Sequence, residues 1–180
     1  MFEYLGLFLV LIGWIGGLYL VRTWRGTQVM SLSQHAASAT KASKFFAAIL
    51  VVGGSAFYIW LLTWLKPHLG LPNIFTALLT VTFILQVITA IIPDTEAWKR
   101  TAHRSAAYIM ATLYFPLSLL IISAQATSSL AKVVGVICLG YMLFAAISFF
   151  TIKRARNRYL IFQSLYIIAF QLIILSAAYL

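Results

Sequence analysis

A series of six long apolar stretches, separated by short polar breaks, occupies almost the whole chain and limits what it can fold into. Each stretch has roughly 18 to 22 residues, which matches the length of about 20 apolar residues that a membrane-spanning helix needs. Strand-like alternation is missing, and a helix satisfies its backbone polar groups within one segment. We therefore predict an all-α, polytopic transmembrane bundle of six helices, a single domain over residues 1–180. The segments are Tyr4–Val21, Phe45–Leu65, Ile74–Ile92, Ala106–Ser123, Val133–Ile152 and Tyr159–Leu180.

The amino-acid composition agrees with a surface that faces lipid. The chain is 63% hydrophobic and only 9% charged, whereas a soluble domain carries roughly 25% charged residues. Its net charge of +10 would suggest nucleic acid as a partner in a soluble protein. The basic residues lie beside the apolar segments instead, so we predict membrane lipids as partners and no nucleic acid.

The charges around the first segment indicate that it remains in the protein. Glu3 precedes this segment, and Arg22 and Arg25 follow it. A secretory signal peptide has its positive charges first. We expect the first segment to stay as a helix.

The distribution of basic residues predicts the orientation of the bundle. Of the 13 lysines and arginines, all but Lys66 and Lys132 lie in the loops after the first, third and fifth segments. Cytoplasmic loops carry the excess of basic residues in membrane proteins. We predict that these three loops are cytoplasmic, that both termini are extracytoplasmic, and that the protein is a multi-pass protein of the cell membrane.

The first loop contains a helix signal. Ser31 to Gln34 has the spacing of a capping box, and the alanine-rich stretch that follows has no proline or glycine. We expect the second helix to begin near Leu32, with its first turns at the membrane interface. Lys41 and Lys44 then either contact anionic headgroups or are simply solvated.

Charged residues and histidines are missing from the middle of the six segments. Such residues mark proton relays, voltage sensors and retinal counter-ions in membrane proteins. Their absence argues against a proton-coupled carrier, a voltage sensor and a retinal protein. It also argues against haem, which would need facing histidines, and we predict no cofactor and no metal.

Uncharged polar residues occur within two segments. Thr82, Gln86 and Thr89 lie on one face of the third segment, and Gln163 and Gln171 share a face of the sixth. Such side chains usually form hydrogen bonds between helices. The alternative is a polar pocket or pathway between the third and sixth helices.

Gly13 and Gly17 form a GxxxG pattern in the first segment. Small residues at this spacing allow close helix packing in membranes. The face meets either a neighbouring helix or another copy of the chain, which makes a homo-oligomer possible.

The densest polar cluster lies between the third and fourth segments. Asp94 follows the third helix, His103 and Arg104 lead the fourth, and Tyr114 shares a face with His103. His35 could approach from the first loop. An Asp–His pair can tie two helix ends together by a hydrogen bond, contact a lipid headgroup or small ligand, or serve catalysis or metal binding.

The same cluster carries a family resemblance. The stretch Ile88 to Asp94, followed by His103 and two nearby alanines, resembles the domain-of-unknown-function family 998, six-helix proteins related to the DRAM-like group. Ser31 and Ser33 match a serine-containing first loop there. The resemblance implies a six-helix layout and, for the wider group, lipid-linked or membrane-organising roles. It differs in topology, because the first loop of the DRAM-like group is associated with the outer side.

Three functional hypotheses follow. The leading one is a non-enzymatic membrane protein that binds lipid, a small ligand or a membrane partner through the Asp/His/Arg cluster. The second is a small-molecule transporter or channel with a path along Thr82, Gln86 and Gln163. The third is an interfacial enzyme that uses Asp94 and His103.

Overall fold

In the part of the chain that the structure describes, six membrane-length helices and one short helix form the bundle. A computed structural model describes residues 2–24, 26–153 and 157–180. Every helix except α2 is long and apolar enough to cross a membrane, which confirms the predicted fold class. The helices are α1 (Leu5–Thr23), α2 (Leu32–Ala37), α3 (Thr40–Leu69), α4 (Asn73–Ile91), α5 (Ala97–Ser123), α6 (Ser129–Thr151) and α7 (Tyr159–Tyr179).

The capping box in the first loop is present, but the helix that it starts is short. The Ser31 hydroxyl accepts from the Gln34 N–H at 3.1 Å, and the Gln34 side chain accepts from the Ser31 N–H at 2.8 Å. Helix α2 begins at Leu32, as predicted. The expected continuous helix is wrong, because the Ser38 hydroxyl donates to a backbone carbonyl of α2 and Ala39 is extended. A serine bonded to its own backbone competes with helix propagation.

Both termini lie at one end of the bundle, which we call the terminal end. The rings of Tyr4 and Tyr179 stack at 6.0 Å, and the Tyr179 hydroxyl donates to the Glu3 carbonyl at 2.6 Å. The loops after α1, α4 and α6 therefore lie at the opposite end, which we call the basic end. Three of the basic residues behind the predicted orientation, Arg25, Arg154 and Arg156, lie outside the described residues. The orientation in the membrane stays a prediction.

The terminal half of the bundle is tightly packed. Trp60, Phe75 and Leu117 are among its buried apolar side chains. The Trp60 ring is fully buried and stacks between the rings of Phe57 and Trp64, at 5.6 Å and 5.1 Å. This aromatic stack of α3 closes the bundle on the side of the termini.

The glycines of α1 divide into packed and open positions. A Cβ at Gly6 would collide with the Trp60 ring, and one at Gly16 would meet the Ile49 side chain. A Cβ at Gly13 or Gly17 would meet no atom of the described residues within 4 Å. Within one chain, therefore, the GxxxG pair is not the packing surface of α1, and its use by a second copy stays a prediction.

Candidate functional site

A cavity of about 800 Å³ occupies the basic half of the bundle. The length of the cavity can be read along α7. This helix lines the cavity at intervals of one helical turn, with Tyr159, Gln163, Ile167 and Gln171. Twelve residues of helix measure about 18 Å at 1.5 Å per residue. The cavity therefore extends from the basic end to about the middle of a hydrocarbon core that is roughly 30 Å thick.

The cavity has an apolar wall along most of this length. Most of its apolar lining side chains come from α1 and α3, and others come from the first loop, α2, α5, α6 and α7. At the mid-membrane end it meets Tyr114, whose ring stacks on Phe170 at 4.0 Å. The wall includes Val10, Phe45, Ile49, Phe57 and Ile167.

A buried carboxylate and two arginines stand at the basic end of the cavity. The Asp94 side chain is only 3% exposed. Its Oδ1 lies 3.4 Å from Arg104 Nε and 3.5 Å from Arg100 Nε. Arg104 also donates through Nε and Nη2 to Oδ2, at 3.4 Å each. Charge-assisted N–H···O bonds are usually 2.7–2.9 Å long, so this group is held by loose contacts.

His103 joins the end of α4 to the beginning of α5. Its Nδ1 lies 2.7 Å from the Ile92 carbonyl, and because a carbonyl only accepts, Nδ1 is the donor. The residue is 4% exposed and lines the cavity. The Ile92 carbonyl lies just beyond α4, where helix carbonyls lack intrahelical partners.

The direct Asp94–His103 hydrogen bond considered from the sequence is not formed among the described residues. Other contacts join the two helix ends. His103 donates to the Ile92 carbonyl, and Asp94 contacts the guanidinium groups of Arg100 and Arg104. Arginine is always charged, so its hydrogen bonds to a carboxylate are charge-assisted.

His35 lies apart from this site. Its Nδ1 lies 2.9 Å from the Ser31 carbonyl, to which it donates, and the residue is 1% exposed. Gly26 packs against its ring, since a Cβ there would collide with Nε2. His35 therefore holds the first loop together and is not among the cavity-lining residues.

The first loop covers the basic end of the cavity. We call residues 28–37 the strap. Leu160 N–H donates to the Gln28 carbonyl at 3.0 Å, and Leu32 N–H donates to the Gln163 side chain at 3.0 Å. Ser33 of the strap lines the cavity. The strap is thus fastened to the first turns of α7.

The predicted polar residues of α7 have two different partners. Gln163 binds the strap, whereas Gln171 accepts a hydrogen bond from the indole N–H of Trp14 in α1. Gln171 thereby connects α7 to α1 near the middle of the membrane. Both glutamines line the cavity.

Of the three predicted polar residues on one face of α4, two line the cavity and one does not. Gln86 lines the cavity and donates to the Leu50 carbonyl of α3 at 2.8 Å, reaching it over Gly54. Thr89 also lines the cavity. Thr82 does not, and its hydroxyl donates to a carbonyl of its own helix. Gln86 therefore binds α3. Gln86 and Thr89 of α4 and the two predicted glutamines of α7 are brought together in one cavity wall, and Thr82 is not part of it.

Two tyrosines of the site were missed by sequence reasoning. Tyr108 and Tyr159 line the cavity together with Arg104. Tyr108 lies one helical turn after Arg104, which was an available signal, but nothing local in the sequence connects either of them to Tyr159. The described residues contain no group of three or more His, Cys, Asp or Glu side chains that could hold a metal ion.

Comparison with known proteins adds no relative: the sequence matches no family model, no curated protein and no solved structure. The chain is an integral membrane protein by its six spanning helices, and its site is defined by its own geometry.

Proposed function

We propose that this membrane protein binds an amphipathic small molecule, a lipid taken from the bilayer, in the cavity of its basic half. One observation carries the proposal: a cavity of about 800 Å³ has charged groups at the interface end and apolar side chains along its depth. This polarity matches that of a lipid lying in its natural orientation. Small-molecule pockets generally measure about 300–1,000 Å³.

The polar end of the cavity determines the affinity for such a ligand. Lipid tails are as apolar as the cavity wall, so moving a tail from the bilayer into the cavity gains little hydrophobic energy. The headgroup contacts must therefore distinguish the bound molecule from the bulk lipid. His103 and Arg104, which line the polar end of the cavity, supply those contacts.

A ligand can enter the cavity at this end. Arg104 and Tyr108 both line the cavity, and both are about half exposed, with 46% of the Arg104 side chain and of Tyr108 accessible. A lining residue that is also exposed places an opening beside it. One opening therefore lies at the basic end, and the exposed lining residues Ile12 and Val52 place a further one deeper along α1 and α3.

A pair of variants in α1 tests the proposal. Gly13→Leu places a side chain in the cavity, and Gly17→Leu is its control one turn away, since only Gly13 lines the cavity. A Cβ at either Gly13 or Gly17 would meet no atom of the described residues within 4 Å. Copurified lipid per protein molecule is measured by native mass spectrometry. We expect Gly13→Leu to lose the bound lipid and Gly17→Leu to retain it; equal amounts in both would refute the proposal.

The other hypotheses stay predictions. Transport needs a path across the bilayer, and the described residues of the terminal half form the packed apolar cluster. Catalysis by Asp94 and His103, a membrane-protein partner, and the resemblance to the domain-of-unknown-function family 998 are likewise untested.

A further inference from the structure

We infer that the ligand of this cavity carries a net negative charge on an oxygen group, a phosphate or a carboxylate, which Arg104 binds in competition with Asp94. The inference rests on the proposed function, because it specifies the headgroup of the molecule that the cavity accepts.

The first step is the charge at the basic end of the cavity. Two guanidinium groups, of Arg100 and Arg104, face the single carboxylate of Asp94. Arginine is always protonated in proteins. The three groups therefore leave one positive charge uncompensated beside a cavity that extends into the membrane, where an anionic ligand would neutralise it.

The second step is the geometry of the arginine contacts. Arg104 has five N–H groups, and its hydrogen bonds to Asp94 use Nε and Nη2 at 3.4 Å, longer than a charge-assisted bond prefers. Arg100 directs Nη2 to the Thr95 carbonyl at 2.9 Å. Arg104 is therefore the arginine that can turn donors toward the cavity, which it lines.

The third step is the state of Asp94. Its Oδ1 is buried and has no hydrogen-bond partner among the described residues, although both arginines lie nearby. A buried carboxylate without good hydrogen bonds is weakly held. It keeps the two arginines at this end of the cavity, and it opposes an incoming anion by charge repulsion. The two residues should therefore affect anion binding in opposite directions.

The test measures lipid affinity by native mass spectrometry. The full chain in detergent is titrated with one lipid at a time, and the bound fraction is recorded. Phosphatidylglycerol and phosphatidylcholine with identical acyl chains differ in net headgroup charge, and oleate supplies a carboxylate. Inorganic phosphate, added as a competitor, distinguishes a lipid headgroup from a free anion. The variants are Arg104→Gln, Arg104→Lys and Asp94→Asn, and Lys132→Gln at the start of α6 is the control for general loss of charge.

We expect the anionic lipids to bind about tenfold to a hundredfold more tightly than phosphatidylcholine, because the choline cation of that lipid offsets its phosphate and leaves the positive charge of the site uncompensated. Arg104→Gln should abolish this preference, Arg104→Lys should keep part of it, and Asp94→Asn should increase it. Lys132→Gln should leave it unchanged. If inorganic phosphate at millimolar concentration displaces the lipid, the same arginine site accepts a free anion.

Two outcomes separate failure of the inference from failure of the proposed function. Equal affinity for the anionic lipids and phosphatidylcholine, or an Asp94→Asn variant that loses anionic lipid, would overturn the inference while a lipid site remained. Binding of none of the three lipids would overturn the proposed function itself. Circular dichroism of each variant shows whether it is folded. If Arg104→Gln does not fold, Arg104→Lys serves as the test, because it keeps the positive charge and loses the planar guanidinium group.

Discussion

The same substitution at two glycines of α1 should have opposite effects on stability. At Gly6, a Cβ would collide with the ring of Trp60. That ring is fully buried and held between Phe57 and Trp64, so it cannot move aside. At Gly17, a Cβ meets no described atom within 4 Å. Gly6→Ala therefore forces α1 away from α3, whereas Gly17→Ala only adds a methyl group to an open surface.

The expected magnitudes follow from these surroundings. Overpacking a well-packed site costs about 1–3 kcal/mol. This is roughly a 5- to 150-fold change in the unfolding constant. Gly17→Ala should be neutral or stabilise by up to about 1 kcal/mol, because alanine is the better helix former. Gly16→Ala should fall between them, since the atom it meets is the flexible end of the Ile49 side chain.

Reversible unfolding in mixed micelles, titrated with dodecyl sulfate and followed by tryptophan fluorescence, measures the free energy of unfolding for all three variants. The order of stability should be Gly17→Ala, then Gly16→Ala, then Gly6→Ala. A Gly17→Ala variant as unstable as Gly6→Ala would show that the packing of α1 against α3 is not as described.

Three further substitutions test single contacts of the site. His103→Ala should lower stability by about 0.5–1.5 kcal/mol, because the half-buried Ile92 carbonyl loses its donor; thermal unfolding in detergent measures this, and an unchanged melting temperature would argue against a structural role. Gln163→Leu should speed hydrogen exchange in the strap, because Leu32 N–H loses its acceptor; unchanged exchange would show that the strap is held elsewhere. Trp14→Phe should destabilise by about 0.5–1.5 kcal/mol through loss of its bond to Gln171, and no loss in the dodecyl sulfate titration would contradict this.

Much of the site could be selected from the sequence, although its internal connections could not. Polar residues are rare in this chain, so Asp94, His103 and Arg104 stand out in the sequence, and all three line the cavity. Their partners depended on competition between neighbours. Two arginines reach Asp94, which leaves His103 to bind the carbonyl of Ile92. A linear pattern does not show which of several close partners is bound.

The glutamines show the same difference between what the sequence identifies and what it leaves open: the residues are identified, but their partners are not. Their presence within apolar segments predicts hydrogen bonding between helices. Yet Gln86 bonds to α3, Gln171 to α1 and Gln163 to the strap. The partner of each depends on how the helices are placed around one another.

The six spans, the capped start of α2 and the grouping of basic residues were determined by the sequence alone. These are local properties, since apolarity over about 20 residues is enough to identify a membrane helix. Which face of each helix meets its neighbours was decided only by the tertiary structure. In a membrane, lipid-facing and buried side chains are both apolar, so periodicity carries little information about the interior. The packed terminal half and the open basic half, with its cavity, arise from shape complementarity between helices that local sequence does not encode.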